Sequence, residues 1–135
     1  MRNIVAIAVT LALIGCDAVA SRYDTIQEAR ADGLFDRGWL PDVLPPSTHS
    51  IRTTNELDLN WSDGEFSFQP SEADLLFVRL ERGAPTASRL DDWQATVNTY
   101  TSRGYSAWSY RDAEATWAFF CEELEGRCEY IMWLG

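Results

Sequence analysis

Lysine is absent from the chain. All eleven basic side chains are arginine, set against twenty-one Asp and Glu, for a net charge of −10. That balance argues against a nucleic-acid partner, because phosphate contacts need positive charge. It also argues against adsorption to anionic lipid heads. Histidine occurs once, as His49 in the Pro/Ser/Thr-rich stretch PPSTHS, where exposure is expected. A lone histidine makes neither a catalytic triad nor a metal site. No GxSxG elbow, P-loop or GxGxxG occurs. Asp58, Asn60, Ser62, Asp63 and Glu65 invite a calcium loop, which needs Gly at its sixth position and Glu at its twelfth. Counted from Asp58 those places hold Asp63 and Gln69, so the pattern fails. The expectation is a protein with no metal, no cofactor and no catalytic residues. At 135 residues and 46% apolar content the chain is long enough for one globular domain and too short for two.

No apolar run is long enough to cross a bilayer, which takes about twenty residues. The longest follows Arg2 and covers Ile4 to Ile14, the length of a secretory h-region. It ends in Leu13, Ile14, Gly15 and Cys16, which resembles a bacterial lipobox. That resemblance implies diacylglycerol on the Cys16 sulfur, cleavage before Cys16 and acylation of the new N-terminus. Two or more acyl chains make a stable anchor where one does not. The alternative is an ordinary cleaved signal with an incidental cysteine. The expected division is a signal peptide over 1–15, a lipidated tether over 16–22 and an α+β domain over 23–135. The protein would then sit in the bacterial envelope, held to a membrane by lipid and facing the periplasm. Asp17, next to the lipidated residue, points to the inner membrane. Removing residues 1–15 takes Arg2 and no acid, so the net charge passes from −10 to −11.

The other two cysteines, Cys121 and Cys128, lie in TWAFFCEELEGRCEYIMW, two apolar runs around a polar tip. This reads as a β-hairpin. A four-residue loop, Glu123 to Gly126, sets Cys121 opposite Cys128, Phe119 opposite Tyr130 and Trp117 opposite Met132. Opposed strand residues have the separation a disulfide needs, and export supplies the oxidising compartment. The rival reading, a pair of metal-ligand thiols, lacks further Cys or a nearby His to complete a site.

Elsewhere the patterns give an element order. Asp24, with Gln27, caps a short helix that stops at Gly33, and Leu34 folds back onto Ala29. Residues 34–50, rich in Pro, form a loop. Ile51 to Trp61 alternates as a half-buried strand. Asp63 and Gly64 then make a type I′ turn that pairs Trp61 with Phe66 and Leu59 with Phe68. Ser71 with Asp74 caps a second helix that runs through Leu76, Phe77 and Leu80 to Gly83. Ser88 with Asp91 caps a third, with stripe Leu90, Trp93, Val97 and Tyr100 and a stop at Gly104. Strands follow at 105–111, 115–121 and 128–133. The fold class is α+β: a single small domain, an antiparallel sheet of about five strands and about three helices, in the order α-β-β-α-α-β-β-β.

Two surfaces are candidates for binding. Glu122, Glu123 and Glu125, with Glu129, make the hairpin tip acidic. The plain reading is a solvated tip; the functional one is a docking surface for a basic protein partner. Arg37 and Trp39 lie in the Pro-rich loop, and Trp and Arg are common interface anchors. The plain reading there is that Trp39 folds back to pin the loop. The aromatics from Tyr100 to Trp133 stand at alternating or helical positions and read as core.

Tyr23-Asp24, Glu28-Ala29-Arg30-Ala31, Gly33, Arg37-Gly38-Trp39-Leu40-Pro41 and Leu44-Pro45 together resemble the opening of a family of small bacterial proteins, the YbbD head domain. Leu57-Asp58-Leu59-Asn60 and Phe66-Ser67-Phe68 are similar too. The resemblance implies one compact domain, exported or lipid-anchored, with no catalytic residue to carry over. The function expected is a lipid-anchored envelope protein that binds and does not catalyse. The sharper alternative is a periplasmic inhibitor or immunity-type protein against a basic envelope-active enzyme. An enzyme acting on polysaccharide would instead need a cleft with paired carboxylates.

Overall fold

A computed structural model describes residues 18–86, 88 and 90–135. The expected signal segment, Cys16 and Asp17 lie outside the described residues. The elements are β1 (Ala18–Thr25), α1 (Ile26–Ala31), β2 (His49–Glu56), β3 (Trp61–Ser67), α2 (Ala73–Phe77), β4 (Glu81–Arg82), α3 (Trp93–Ser102), β5 (Ser106–Arg111), β6 (Ala115–Glu122) and β7 (Arg127–Leu134). Single 3₁₀ turns stand at Leu57–Leu59 and Pro70–Glu72. Seven strands form one antiparallel sheet in the order β1-β2-β3-β7-β6-β5-β4. The chain thus makes one meander of three strands, crosses to the far edge, and returns through four more until β7 meets β3.

The apolar run of β6 takes the interior of this sheet, where a strand is covered on both faces. Trp117, Phe119 and Cys121 point to one side, and Ala118 and Phe120 to the other; all are buried. On the first face they meet Phe66, Cys128, Tyr130 and Met132. The lid is α1, the loop after it and α2, through Ala29, Leu34, Leu40, Val43, Leu44 and Leu76. On the second face α3 lays Tyr100 flat on Phe120, with ring centroids 4.1 Å apart, and Trp93 edge-on to Trp133 at 5.4 Å. Such pairs contribute roughly 1 kcal/mol each beyond burial. The helix covers only part of that face. Arg52, Thr54, Trp61, Asp63 and Glu65 line an open cleft beside it.

The α+β class, the antiparallel sheet and the three helices agree with the sequence reading. The sheet, however, has seven strands and not about five. One extra strand is β1: residues 18–22, expected as a tether, pair with β2 from Ala18 opposite Glu56 onward. The other is β4, two residues at the sheet edge, which replaces the last turn of the expected second helix. The cap of α1 is Thr25, one residue beyond Asp24: its hydroxyl accepts from the Glu28 amide at 3.2 Å, and Glu28 accepts from the Asp24 amide at 3.2 Å. Ser71 and Ser88 cap no helix. α2 starts at Ala73 and α3 at Trp93, with no side-chain cap bond, and Ser88 closes a small turn with the Leu90 amide at 3.0 Å. Of the three expected glycine stops two hold; Gly83 ends no helix, since α2 closes at Phe77 and β4 precedes the glycine. Gly33 and Gly104 have φ of +78° and +91°, and Leu34 and Tyr105 bond back to the carbonyls of Ala29 and Tyr100.

The first hairpin turns at a different place. β2 ends at Glu56, and the turn is Leu57 to Asn60, with Asn60 at φ +51°. Asn takes this left-handed conformation more readily than most residues. Trp61 therefore pairs with Glu56 and not with Phe66, and Leu57 and Leu59 stand exposed. Asp63 and Gly64 lie inside β3. A Cβ on Gly64 would stand 2.0 Å from the Arg52 carbonyl oxygen, so this glycine serves close strand approach and not a turn.

Candidate functional site

The β6–β7 hairpin has the expected register: Cys121 faces Cys128, Phe119 faces Tyr130 and Trp117 faces Met132. A disulfide joins Cys121 and Cys128 across a Cα separation of 4.1 Å. The loop beyond it is built from the backbone: the amides of Glu125 and Gly126 bond the Glu122 carbonyl at 3.1 and 3.0 Å. Gly126 has φ +68°, and its carbonyl accepts from the Phe68 amide at 2.8 Å. The tip is therefore fastened to the β3–α2 connection as well as across its own base. At its end Leu124 is 91% exposed, between Glu123 and Glu125.

Below the tip, one arginine organises the charges. Glu65 and Glu129 stand opposite each other on β3 and β7, a repulsive arrangement without a cation. Arg127 supplies it. Its guanidinium reaches Glu65 at 3.2 Å, Glu122 at 3.2 Å, Glu129 at 3.1 Å and the Tyr105 hydroxyl at 3.0 Å. Glu129 also accepts from the hydroxyls of Tyr100 at 2.8 Å and Tyr105 at 3.3 Å. Arg52 takes the other oxygen of Glu65. The hydrogen bond from Arg52 holds the Glu65 carboxyl below the ordinary range. Burial, then the bond to Glu129, pushes the Tyr100 hydroxyl well up. Burial opposes the charge on Arg127, but Tyr105 and Glu129 outweigh it and hold the guanidinium above its usual value.

This arrangement suits presentation more than proton transfer. A general acid needs a carboxyl raised toward neutrality, and Glu65 is shifted the other way. Glu122, Glu123 and Glu125 do come together at the tip, but Glu122 turns back to Arg127, leaving Glu123 and Glu125 around Leu124. Among the described residues no three His, Cys, Asp or Glu side chains are placed to hold a metal ion. His49 begins β2 half-buried, its Nδ1 3.0 Å from the Ser47 carbonyl oxygen, where exposure was expected. Arg127 and Tyr105 were not singled out in the sequence, Glu65 was weighed only for a calcium loop that fails, and Tyr100 only as part of an apolar helix stripe. The one legible signal was a single arginine inside an otherwise acidic run.

Arg37 and Trp39 belong to a separate cluster. Trp39 packs half-buried on the first-face core, and its carbonyl accepts from the Trp117 indole at 3.0 Å. Arg37 bonds the Asp32 carbonyl and lies 3.8 Å from its carboxylate. Asp32 also accepts from the Tyr23 hydroxyl at 2.6 Å. Arg30 pairs with Asp42 at 2.8 Å and sits over the Phe35 ring. The residues of the YDxxxEARA…RGW pattern thus bind one another and fix the loop after α1. No hydrogen bond or ion pair among the described residues joins them to the tip.

No helix among the described residues is long and apolar enough to cross a membrane. No curated protein and no solved structure matches the chain. A family model described as the YbbD head domain matches residues 17–67, from β1 through β3 with α1 and its loop, and excludes the disulfide tip. Over that first meander the chain is YbbD-head-like.

Proposed function

We propose that the protein is a lipid-anchored, non-catalytic interaction module of the bacterial envelope, tethered at Cys16 and presenting its disulfide tip to the periplasm. The observation that carries this reading is the position of the two ends. Pairing runs in one row from Ala18 to Glu56, Trp61, Trp133 and Thr116, and in another from Thr25 to His49, Ser67, Arg127 and Glu122. The chain leaves Cys16 at the first row, and the tip projects beyond the second. Two residues before Ala18 span at most about 7 Å, so an acylated Cys16 holds the first row against the membrane. Leu57 and Leu59, 52% and 60% exposed, stand at that same end. Growth with alkyne-palmitate is the test: the protein takes up label, and Cys16→Ser abolishes both label and membrane retention. An unlabelled wild type, or a Cys16→Ser form that stays on the membrane, defeats the proposal.

A narrower reading is an inhibitor or immunity-type protein against a basic envelope-active enzyme. It is favoured by Leu124, an apolar residue held outward between acids on a doubly fastened loop. A desolvated apolar anchor inside a charged rim is a common hot-spot arrangement. Leu124→Ser is expected to abolish recovery of a basic partner in a pull-down, while Glu123→Gln with Glu125→Gln weakens it and removes its salt sensitivity.

A further inference from the structure

A second cleft lies away from the tip, at the β4 edge of the sheet. Its volume is about 630 Å³, within the range of small-molecule sites. Three arginines line it: Arg79, Arg82 and Arg111. Arg30, Arg37, Arg52 and Arg127 each hold a carboxylate at ion-pair distance, whereas these three hold none among the described residues. In a chain of net charge −10 that is a local reversal of sign. Arg82 is further ordered by the Trp108 ring, 4.5 Å below its guanidinium. That ring belongs to the first face of the sheet, whereas Arg111 pairs with Thr116 on the second, so the stacked guanidinium does not share a ligand with Arg111.

A second observation lies in the wall of the same cleft. Thr116, opposite Arg111 on β6, lines it and is 2% exposed, and its hydroxyl has no hydrogen-bond partner. Buried polar groups are nearly always satisfied, and the hydroxyl of Thr53, outside this cleft, is orphaned in the same way. Among the described residues Glu81 is the one carboxylate in the wall. It disfavours a bare anion and favours one that also carries a hydroxyl or amine.

From these features we infer that the β4 cleft binds a small anion, a carboxylate or a phosphate ester, through Arg111 and Arg79. The inference does not depend on the lipid anchor or on the tip. Isothermal titration of the full chain with citrate and with inorganic phosphate tests it, glycerol being the neutral comparison. Saturable one-site binding of either anion is expected, with a dissociation constant of order 1 mM or tighter. Citrate alone identifies a carboxylate ligand, phosphate alone a phosphate ester, and both a general anion site. Arg111→Gln and Arg79→Gln each weaken binding about tenfold, as loss of a charge-assisted bond does. Arg103→Gln, outside the cleft, changes nothing. Absence of saturable binding to both anions, or an equal loss in Arg103→Gln, overturns the site.

Discussion

Gly126 shows how a single residue fixes the tip. Its backbone is left-handed, and a Cβ there would stand 2.2 Å from the carbonyl oxygen of Phe68, the residue whose amide fastens the loop by donating to the Gly126 carbonyl. Gly104 shares the left-handed backbone but has nothing within 4 Å of that position. Gly126→Ala is therefore expected to destabilise by roughly 3 kcal/mol and Gly104→Ala by about 1 kcal/mol, the first combining overpacking with backbone strain. Urea denaturation measures both. Equal losses would show that crowding against Phe68 contributes nothing. Glu65 gives a residue-scale prediction in pH. The Arg52 hydrogen bond holds its carboxyl below the ordinary 4.5 of a glutamate, so the folded state favours the charged form. That stabilisation is fully present above pH 4.5 and is lost as pH falls through the lower folded value. Glu65→Gln should flatten this part of the acid limb by about 1 kcal/mol, since the pair is only partly screened from water. A wild-type and variant stability difference that stays constant from pH 6 to about pH 3 contradicts it.

Elements separate what was legible in the sequence from what was not. The β6–β7 hairpin could be read because its cysteines, its aromatic pairs and its loop length all demand one register. The Gly33 and Gly104 stops could be read because each is a local motif with its hydrophobic partner one residue on. β1 could not: VASRY has little alternation, and its pairing with β2 is a long-range contact that no local pattern encodes. The first hairpin misled because Asp63-Gly64 is turn chemistry placed where tertiary packing needs a small residue. The Arg127 cluster stayed hidden for a related reason. Arg127 and Glu65 are neighbours only because β7 pairs with β3. These features predict a limited role for the disulfide. Cys121 and Cys128 close a short loop, and the strand pairs beside them already hold the register. Replacing both by Ala should lower stability by only about 2 kcal/mol on the chain-entropy estimate. The thermal transition should stay cooperative. Loss of the folded near-ultraviolet signal in that variant would mean that the covalent bond, and not the strand pairing, sets the register.

At the scale of the whole molecule, the sheet is a spacer. β7 has eight residues, which at about 3.3 Å each separate the Leu57–Asn60 turn from the 123–126 tip by about 26 Å along the strands. The two turns differ in chemistry as well as position. The first carries Leu57, Leu59 and the neighbouring Trp61, which suits the boundary between lipid and water. The second sets one leucine among carboxylates, which an anionic leaflet repels. A lipidated chain on vesicles should thus stand with its strands steep to the surface. Spin-labelled lipid provides the measurement. Amide signals of residues 57–61 should broaden strongly, and those of residues 123–126 should remain sharp, because relaxation enhancement falls steeply with distance. Leu57→Ser with Leu59→Ser should reduce the broadening at the first turn while acylation at Cys16 persists. That combination separates a failure of orientation from a failure of anchoring. Equal broadening at both ends would mean that the sheet lies flat, and the tip could no longer be a periplasm-facing contact.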